Sequence, residues 1–214
     1  LRQELRAYYD ELLTPEIKAD LAREHGIAPR TREIVRQMGK DGWLGIGWPK
    51  EYGGQGRSEI EQFVFFDESM RARAPVPMLT VNTVGPTIMN HGNDEQKARF
   101  LPRVLAGEVH FCIGYSEAEA GTDLAALKTR ADLAEYGSGD YIINGSKLWT
   151  SLESDADYCW LAVRTDQEAS KHGGLSMFLV DMKSQGIRID PLELLSNHDI
   201  NAVFFDDVRV PAAN

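Results

Sequence analysis

The hydrophobic period of this chain changes near its middle. Over residues 1 to about 107 apolar positions recur at helical spacing, beginning with Leu1, Leu5, Tyr8, Tyr9 and Leu12. Thr14-Pro15 offers a cap followed by the residue favoured at a first helical position, so a second helix opens there. Residues 31–38 put Ile34, Val35 and Met38 on one side before Gly39 and Gly42 stop the helix. Residues 42–56, with Trp43, Trp48, Tyr52 and repeated glycines, are too apolar for a solvated linker and too broken for an element, which predicts a packed loop. Ser58 with Glu61 forms a capping box, and Ile60, Phe63, Val64 and Met70, widened by Phe65 and Phe66, are expected as the buried stripe of the helix that follows. Within it Asp67 and Glu68 read as one solvent-facing acid and one acid paired with Arg71 or Arg73 at helical spacing. After Ala74-Pro75-Val76-Pro77, residues 79–90 give another apolar helix containing Gly85-Pro86. Asn93 with Gln96 is a second capping box, and Phe100-Leu101-Pro102 is expected to interrupt its helix before Gly107 ends it.

After Gly107 the pattern becomes that of strands. Residues 110–116, 126–132, 140–149, 157–164, 174–181, 186–190 and 202–210 are bounded by turn signals such as Gly137-Ser138-Gly139-Asp140 and Asn144-Gly145. Short strands at this spacing imply an antiparallel barrel or sandwich. The fold class is therefore α+β with segregated halves: a helical domain over residues 1–109 and a β domain over 110–214.

Composition narrows the function classes. Acidic residues outnumber basic ones, 33 to 23, for a net charge of −10, which disfavours a nucleic-acid surface. No apolar stretch approaches the twenty or so residues of a membrane span, and no basic-then-apolar leader is visible, so the expectation is cytoplasmic, with the first residue, Leu1, leaving room for residues before it. Cys112 and Cys159 sit in apolar runs and read as buried thiols in a reducing compartment. His25, His91, His110, His172 and His198 lack metal-ligand spacing, so no metal site is expected. There is no Ser-His-Asp ordering, P-loop or dinucleotide glycine fingerprint.

The candidate chemistry lies in residues 111–129 and the Lys147-Leu148-Trp149-Thr150-Ser151 segment. An apolar run ends in Ser116 and a loop of short residues, Ala120-Gly121-Thr122, that lets the backbone approach a ligand closely. A planar polyanion needs free backbone N–H groups, hydroxyl donors and an aromatic flank, and Ser116, Gly121, Thr122, Trp149 and Ser151 offer that set. By themselves these residues read first as a turn, a core aromatic and a strand-end serine, and only second as a ligand site.

The run Gly114-Tyr115-Ser116-Glu117-Ala118-Glu119-Ala120-Gly121-Thr122-Asp123 resembles the first signature of the acyl-CoA dehydrogenase family, with Tyr115 in place of the usual aliphatic residue and Ala118 in place of a frequent Pro. In family order stand Asp41-Gly42-Trp43-Leu44, Pro49-Lys50-Glu51-Tyr52-Gly53-Gly54, His91-Gly92 with Glu95-Gln96-Lys97, Lys147-Leu148-Trp149, and Asp206-Asp207-Val208-Arg209-Val210-Pro211. The Gly-Tyr-Ser-Glu and Lys-Leu-Trp-Thr-Ser variants look most like the actinobacterial branch, some members of which handle bulky or steroid-derived thioesters as heteromeric tetramers.

The resemblance implies an FAD-dependent enzyme that converts an acyl-CoA to the trans-2-enoyl-CoA and passes electrons to an electron-transfer flavoprotein, in a homo- or hetero-oligomer, commonly a tetramer. It implies that the Ser116 hydroxyl and the backbone beside Tyr115 bind the pyrimidine side of the flavin, that Gly121 and Thr122 lie by its pyrophosphate, that Trp149 packs against the ring beside Thr150, and that the Ser151 hydroxyl, usually Thr, sits near N5. Thr122 is also placed against the pantetheine or phosphate arm of CoA, and Val84, Ile88 and Met89 as walls of the acyl pocket. The family's catalytic Glu belongs to a C-terminal helical domain beyond these residues, so no catalytic base is expected here; Glu117, Glu119 and Asp123 are expected to shape the loop. Rival readings are an oxidase or monooxygenase of the same fold, a non-catalytic partner subunit, and a stand-alone acyl-CoA-binding module.

Overall fold

A computed structural model describes residues 1–23, 26–134, 137–151, 155–195 and 200–214. His25 and His198 lie outside the described residues. The chain divides into two compact units, Leu1–His110 and Phe111–Asn214.

The first unit contains helices α1 (Arg2–Leu12), α2 (Pro15–Leu21), α3 (Pro29–Lys40), α4 (Glu59–Ala72), α5 (Gly85–His91) and α6 (Asp94–Leu105). Their starts follow the local chemistry. Thr14 Oγ1 accepts from the Ile17 amide at 3.3 Å with Pro15 at the first helical position. The Ser58/Glu61 and Asn93/Gln96 boxes both close, each satisfying two amides that a helix start leaves without partners. Pro102 does not interrupt α6, which runs through it to Leu105; so close to the helix end, its missing N–H removes one bond from a turn about to finish.

The buried face of α4 is not the one its apolar residues suggest. Phe65, Glu68 and Ser69 face inward, whereas Ile60 (76% exposed), Phe63 (64%) and Met70 (69%) face outward. The inward choice is fixed by polar partners on α1. Arg6 forks onto the Glu68 carboxylate (Nε to Oε2 2.7 Å, Nη2 to Oε1 2.9 Å), and Arg2 Nη1 reaches Glu68 at 2.6 Å and Asp67 at 2.5 Å. Ser69 Oγ donates to the Phe65 carbonyl at 2.6 Å and so accepts from Tyr9 Oη at 2.6 Å. Glu68, rather than pairing with Arg71 or Arg73, is thus tied to another helix, while Asp67 keeps the helical pair with Arg71 at 3.3 Å.

Residues 42–56 form the packed loop, two short 3₁₀ turns (Trp43–Gly45 and Lys50–Tyr52) with Trp43, Leu44, Ile46 and Trp48 buried. Trp48 has a specific task. The segment before α5 is a π-helical turn, Thr80–Val84, in which the Gly85 amide bonds to the Thr80 carbonyl. In that ladder the Val81 carbonyl should receive the amide of residue 86, but Pro86 has none. The Trp48 indole N–H supplies the bond instead, at 2.8 Å. Only glycine fits at position 85, where a Cβ would lie 2.2 Å from the Trp48 ring.

The second unit is one curled, mostly antiparallel sheet of seven strands: β1 (Phe111–Gly114), β2 (Arg130–Leu133), β3 (Tyr141–Ser151), β4 (Tyr158–Arg164), β5 (Leu175–Asp181), β6 (Ile187–Leu192) and β7 (Ile200–Val210). It is neither purely antiparallel nor a two-sheet sandwich. β4 carries β5 on one edge, antiparallel, and β1 followed by β2 on the other, both parallel. β2, β3, β7 and β6 then follow in antiparallel order. The strand expected over 126–132 begins at Arg130, after a 3₁₀ turn at Leu124–Ala126. Cys112, Ile143, Cys159, Leu161, Val180, Val203 and Val208 pack into the core of this unit.

Asn144-Gly145, a turn signal in the sequence, lies inside β3 beside a bulge. The extra residue there is on β7: Asp207 takes a left-handed φ of 50°, and the Asn144 side chain exchanges two 2.9 Å bonds with it. Gly145 is required because a Cβ would meet Thr129 at 2.7 Å. A second bulge, between Lys147 and Thr150, places its extra residue on β3.

Candidate functional site

The second bulge decides which way the Lys147–Ser151 side chains face. Lys147 pairs with Val203 and Thr150 with Asn201, so two residues of β3, Leu148 and Trp149, oppose one of β7. Regular alternation would send Lys147, Trp149 and Ser151 to one face. The extra residue turns Thr150 inward, with 2% exposure, and sends Trp149 (57% exposed) and Ser151 outward. Trp149 adopts a left-handed φ of 64° to do so, a conformation that costs a bulky residue about 1–2 kcal/mol.

The end of β1 lies against this bulge. The Leu148 amide donates to the Ser116 carbonyl at 2.8 Å, and Tyr115 is pinned by the Trp160 indole, whose N–H donates to its hydroxyl at 2.9 Å. Glu117 and Ala120 then bond to each other across a tight turn, at 2.8 and 3.2 Å. Gly121 and Thr122 are exposed beyond it. A Cβ on Gly121 would meet nothing within 4 Å, and its φ is ordinary. Nothing in the chain's own packing demands glycine there, whereas close approach by a bound group would.

Beneath the loop is a buried ion pair. Lys147, with its side chain fully buried, donates from Nζ to Glu117 Oε1 at 2.8 Å and to the Tyr115 carbonyl at 3.1 Å. Glu117 also accepts from the Lys128 amide at 2.7 Å and the Thr129 amide at 2.9 Å. One carboxylate therefore ties together the end of β1, the approach to β2 and the middle of β3. Burial pushes the Glu117 carboxyl up, but Lys147, the Thr129 side chain and the two amides outweigh it and hold its pKa below the usual carboxylate value. Burial lowers the Lys147 pKa, and Glu117 partly restores it. Glu117 has the loop-shaping role expected of it. Lys147 was visible in the sequence only as part of a motif; its signal is a lysine at an inward position of an alternating strand.

The inward neighbours include two buried polar atoms with no hydrogen-bond partner, Thr150 Oγ1 and Asn201 Nδ2, on residues that face each other across β3 and β7. Of the predicted set, Tyr115, Ser116, Trp149, Thr150 and Ser151 are linked through the β1–β3 junction, with Gly121 and Thr122 on the loop that follows it. Thr150 presents its hydroxyl to the interior, not to the outer surface. Val84 (0% exposed) and Ile88 (2%) are buried side chains of the helical unit. An outward indole, exposed hydroxyls and an open small-residue loop fit a planar cofactor that carries phosphates.

A helical unit followed by a curled sheet with this platform at its β1–β3 junction defines the acyl-CoA dehydrogenase class. The chain belongs to that family: the model of its N-terminal domain matches residues 1–108 and that of its middle domain residues 112–208. Among relatives, "Acyl-CoA dehydrogenase FadE26" of Mycobacterium tuberculosis is 52% identical over all of this chain and 54% of its own length. The chain thus spans about half the length of the curated relatives it matches. The solved ChsE4-ChsE5 complex from Mycobacterium tuberculosis superimposes with a TM-score of 0.91 at 52% identity, over 100% of this chain and 54% of that one. A structure described as the Tcur3481-Tcur3483 steroid ACAD gives 0.90 at 49% identity, over 99% and 54%.

Proposed function

We propose that this chain supplies the flavin-facing sheet of an FAD-dependent acyl-CoA dehydrogenase that acts on a bulky, steroid-like acyl thioester and hands its electrons to an electron-transfer flavoprotein. The observation that carries this reading is the bulge at Trp149, a strained turn-out of an aromatic and a serine beside the Ser116 loop. Strain in a bulky residue persists only where the surroundings enforce it, and it clusters at ligand sites.

When bound, the flavin supplies the hydride acceptor for oxidation of the thioester's α,β bond. The residues of this chain hold and shield it. Trp149 presents a flat apolar face that excludes water from one side of the ring. The exposed Ser151 hydroxyl would donate to the bound ring, and the Ser116 hydroxyl with its neighbouring backbone would hold its polar edge. Gly121 and Thr122 leave room and donors for phosphate. Glu117 and Lys147 fix the loop from beneath.

The name of the Tcur3481-Tcur3483 steroid ACAD favours the bulky substrate, and its paired subunits, like those of the ChsE4-ChsE5 complex, favour an assembly with a second, different chain. That pairing also supports a second reading, in which this chain is the structural partner of a catalytic one. Anaerobic titration of the full-length protein, alone and with its co-purified partner, decides between them. Bleaching of the visible flavin band by steroid-side-chain thioesters, and weaker bleaching by short-chain ones, is expected. Absence of any flavin band in the protein alone would favour the partner reading, and a band that no thioester bleaches would overturn the dehydrogenase.

A further inference from the structure

The inner face of the sheet carries a polar pair that the packing leaves unfinished. Along β7 the inward partners of β3 are otherwise apolar, Val210, Val208, Phe205 and Val203. Asn201, opposite Thr150, breaks that row. Both residues are buried, at 3% and 2% exposure. Among the described residues Asn201 Nδ2 and Thr150 Oγ1 have no hydrogen-bond partner, so they do not bond to each other either. On its other side Asn201 faces Pro191 of β6, whose side chain carries no polar atom. A buried hydroxyl or amide without a partner costs stability, and valine or leucine would fill the same space without that cost.

The pair sits where the sheet needs an anchor. Thr150 lies between Trp149 and Ser151, the outward residues of the platform, and Trp149 holds a left-handed φ of 64°. Such a backbone persists only where its surroundings enforce it. On the near side of the bulge the Leu148 amide is fixed to the Ser116 carbonyl at 2.8 Å. On the far side the corresponding hold is the Thr150 to Asn201 step of the ladder. An amide N–H donates and a threonine hydroxyl both donates and accepts, so a water molecule between them satisfies each. Buried water takes about two to four polar partners, and a bulge leaves main-chain groups of its extra residue to add to these side chains.

We propose that Thr150 and Asn201 hold a buried water molecule between them, and that this bridge is the second anchor of the bulge. The Asn201 amide donates to the water, and the water donates to the Thr150 hydroxyl. The two side chains thereby act from inside the sheet as positioning residues for Trp149 and Ser151. Their effect on the flavin rests on the reading above; the bridge rests on the two side chains themselves.

The test uses the full-length protein with its partner and the variants Thr150→Val, Asn201→Leu, the two together, and Thr150→Ser, which keeps the hydroxyl. With the bridge in place, each apolar single variant strands the other partner of the water. Each is expected to lower the melting temperature and to speed amide exchange over residues 148–151 about tenfold. The double variant goes no further than either single one, and Thr150→Ser exchanges within about twofold of the parent. Melting temperatures that rise in both single variants, with exchange unchanged, are what two merely unpaired groups give, and would overturn the bridge. Visible circular dichroism of the bound flavin reads the positioning. Thr150→Val should alter it and Thr150→Ser keep it, whereas Ile143→Val, a core change beyond the other bulge, lowers the melting temperature and leaves the dichroism as it was. Dichroism unchanged in Thr150→Val would overturn the positioning role. Exchange and melting need no flavin, so the bridge stands or fails independently of the dehydrogenase reading.

Discussion

Trp149 and Glu117 mark opposite relations between a residue and its surroundings. Trp149 is strained and exposed, so Trp149→Gly should leave the protein as stable as before or stabilise it by up to about 1 kcal/mol, while lowering the flavin retained on purification; thermal melts and the flavin-to-protein absorbance ratio check the two halves. Glu117 is the reverse, a buried hub. Glu117→Gln leaves the fully buried Lys147 ammonium without its counter-charge and should cost about 3–5 kcal/mol, read as a drop in the denaturation midpoint. Both were legible in the sequence, Glu117 in the signature over residues 114–123 and Trp149 in the Lys147-Leu148-Trp149 segment. The conformation of Trp149 was not legible, because a bulge is defined by the partner strand, and nothing near residue 149 reports that Asn201 lies opposite Thr150.

Among elements, α4 shows how far a helical pattern can mislead. Its apolar residues predicted a buried stripe through Ile60, Phe63 and Met70, but Arg2 and Arg6 on α1 claim Glu68 and rotate that stripe outward. The competing signal, two arginines one turn apart, is more than sixty residues away in sequence. The Arg6 and Arg2 hydrogen bonds, against the opposing effect of burial, pull the Glu68 pKa from 4.5 down to about 2. A folded-state pKa below the unfolded one means stability that is complete above about pH 4.5 and is lost as pH falls toward 2. Acid denaturation of Glu68→Gln should therefore lack that part of the slope. The π turn before α5 yields another expectation: Trp48→Phe keeps the packing but strands the Val81 carbonyl, at a cost of about 1–3 kcal/mol in chemical denaturation.

For the molecule as a whole, the change of hydrophobic period was enough to place helices before strands and to find each of the seven strands among the described residues. Pairing order was not readable from it, since the parallel contacts of β4 with β1 and β2 join segments distant in sequence. The outward apolar face of α4 makes a prediction for the isolated chain. Ile60→Lys with Phe63→Lys should leave its melting temperature within about 2 °C, as exposed substitutions change stability little, while reducing dye binding and self-association seen by light scattering.

The two bulges between β3 and β7 lie on opposite strands, and the same number of residues separates Ile143 from Thr150 as separates Asn201 from Val208. They behave as a pair of dislocations of opposite sign, confining a one-residue offset to the stretch around Gly145 and Lys147 and leaving the ladder in step on both sides. Deleting a single residue from either bulge would release the offset and force one end of the ladder to trade its inner and outer faces. Deleting one from each would let the defects annihilate, so the double deletion should be better tolerated than either single one.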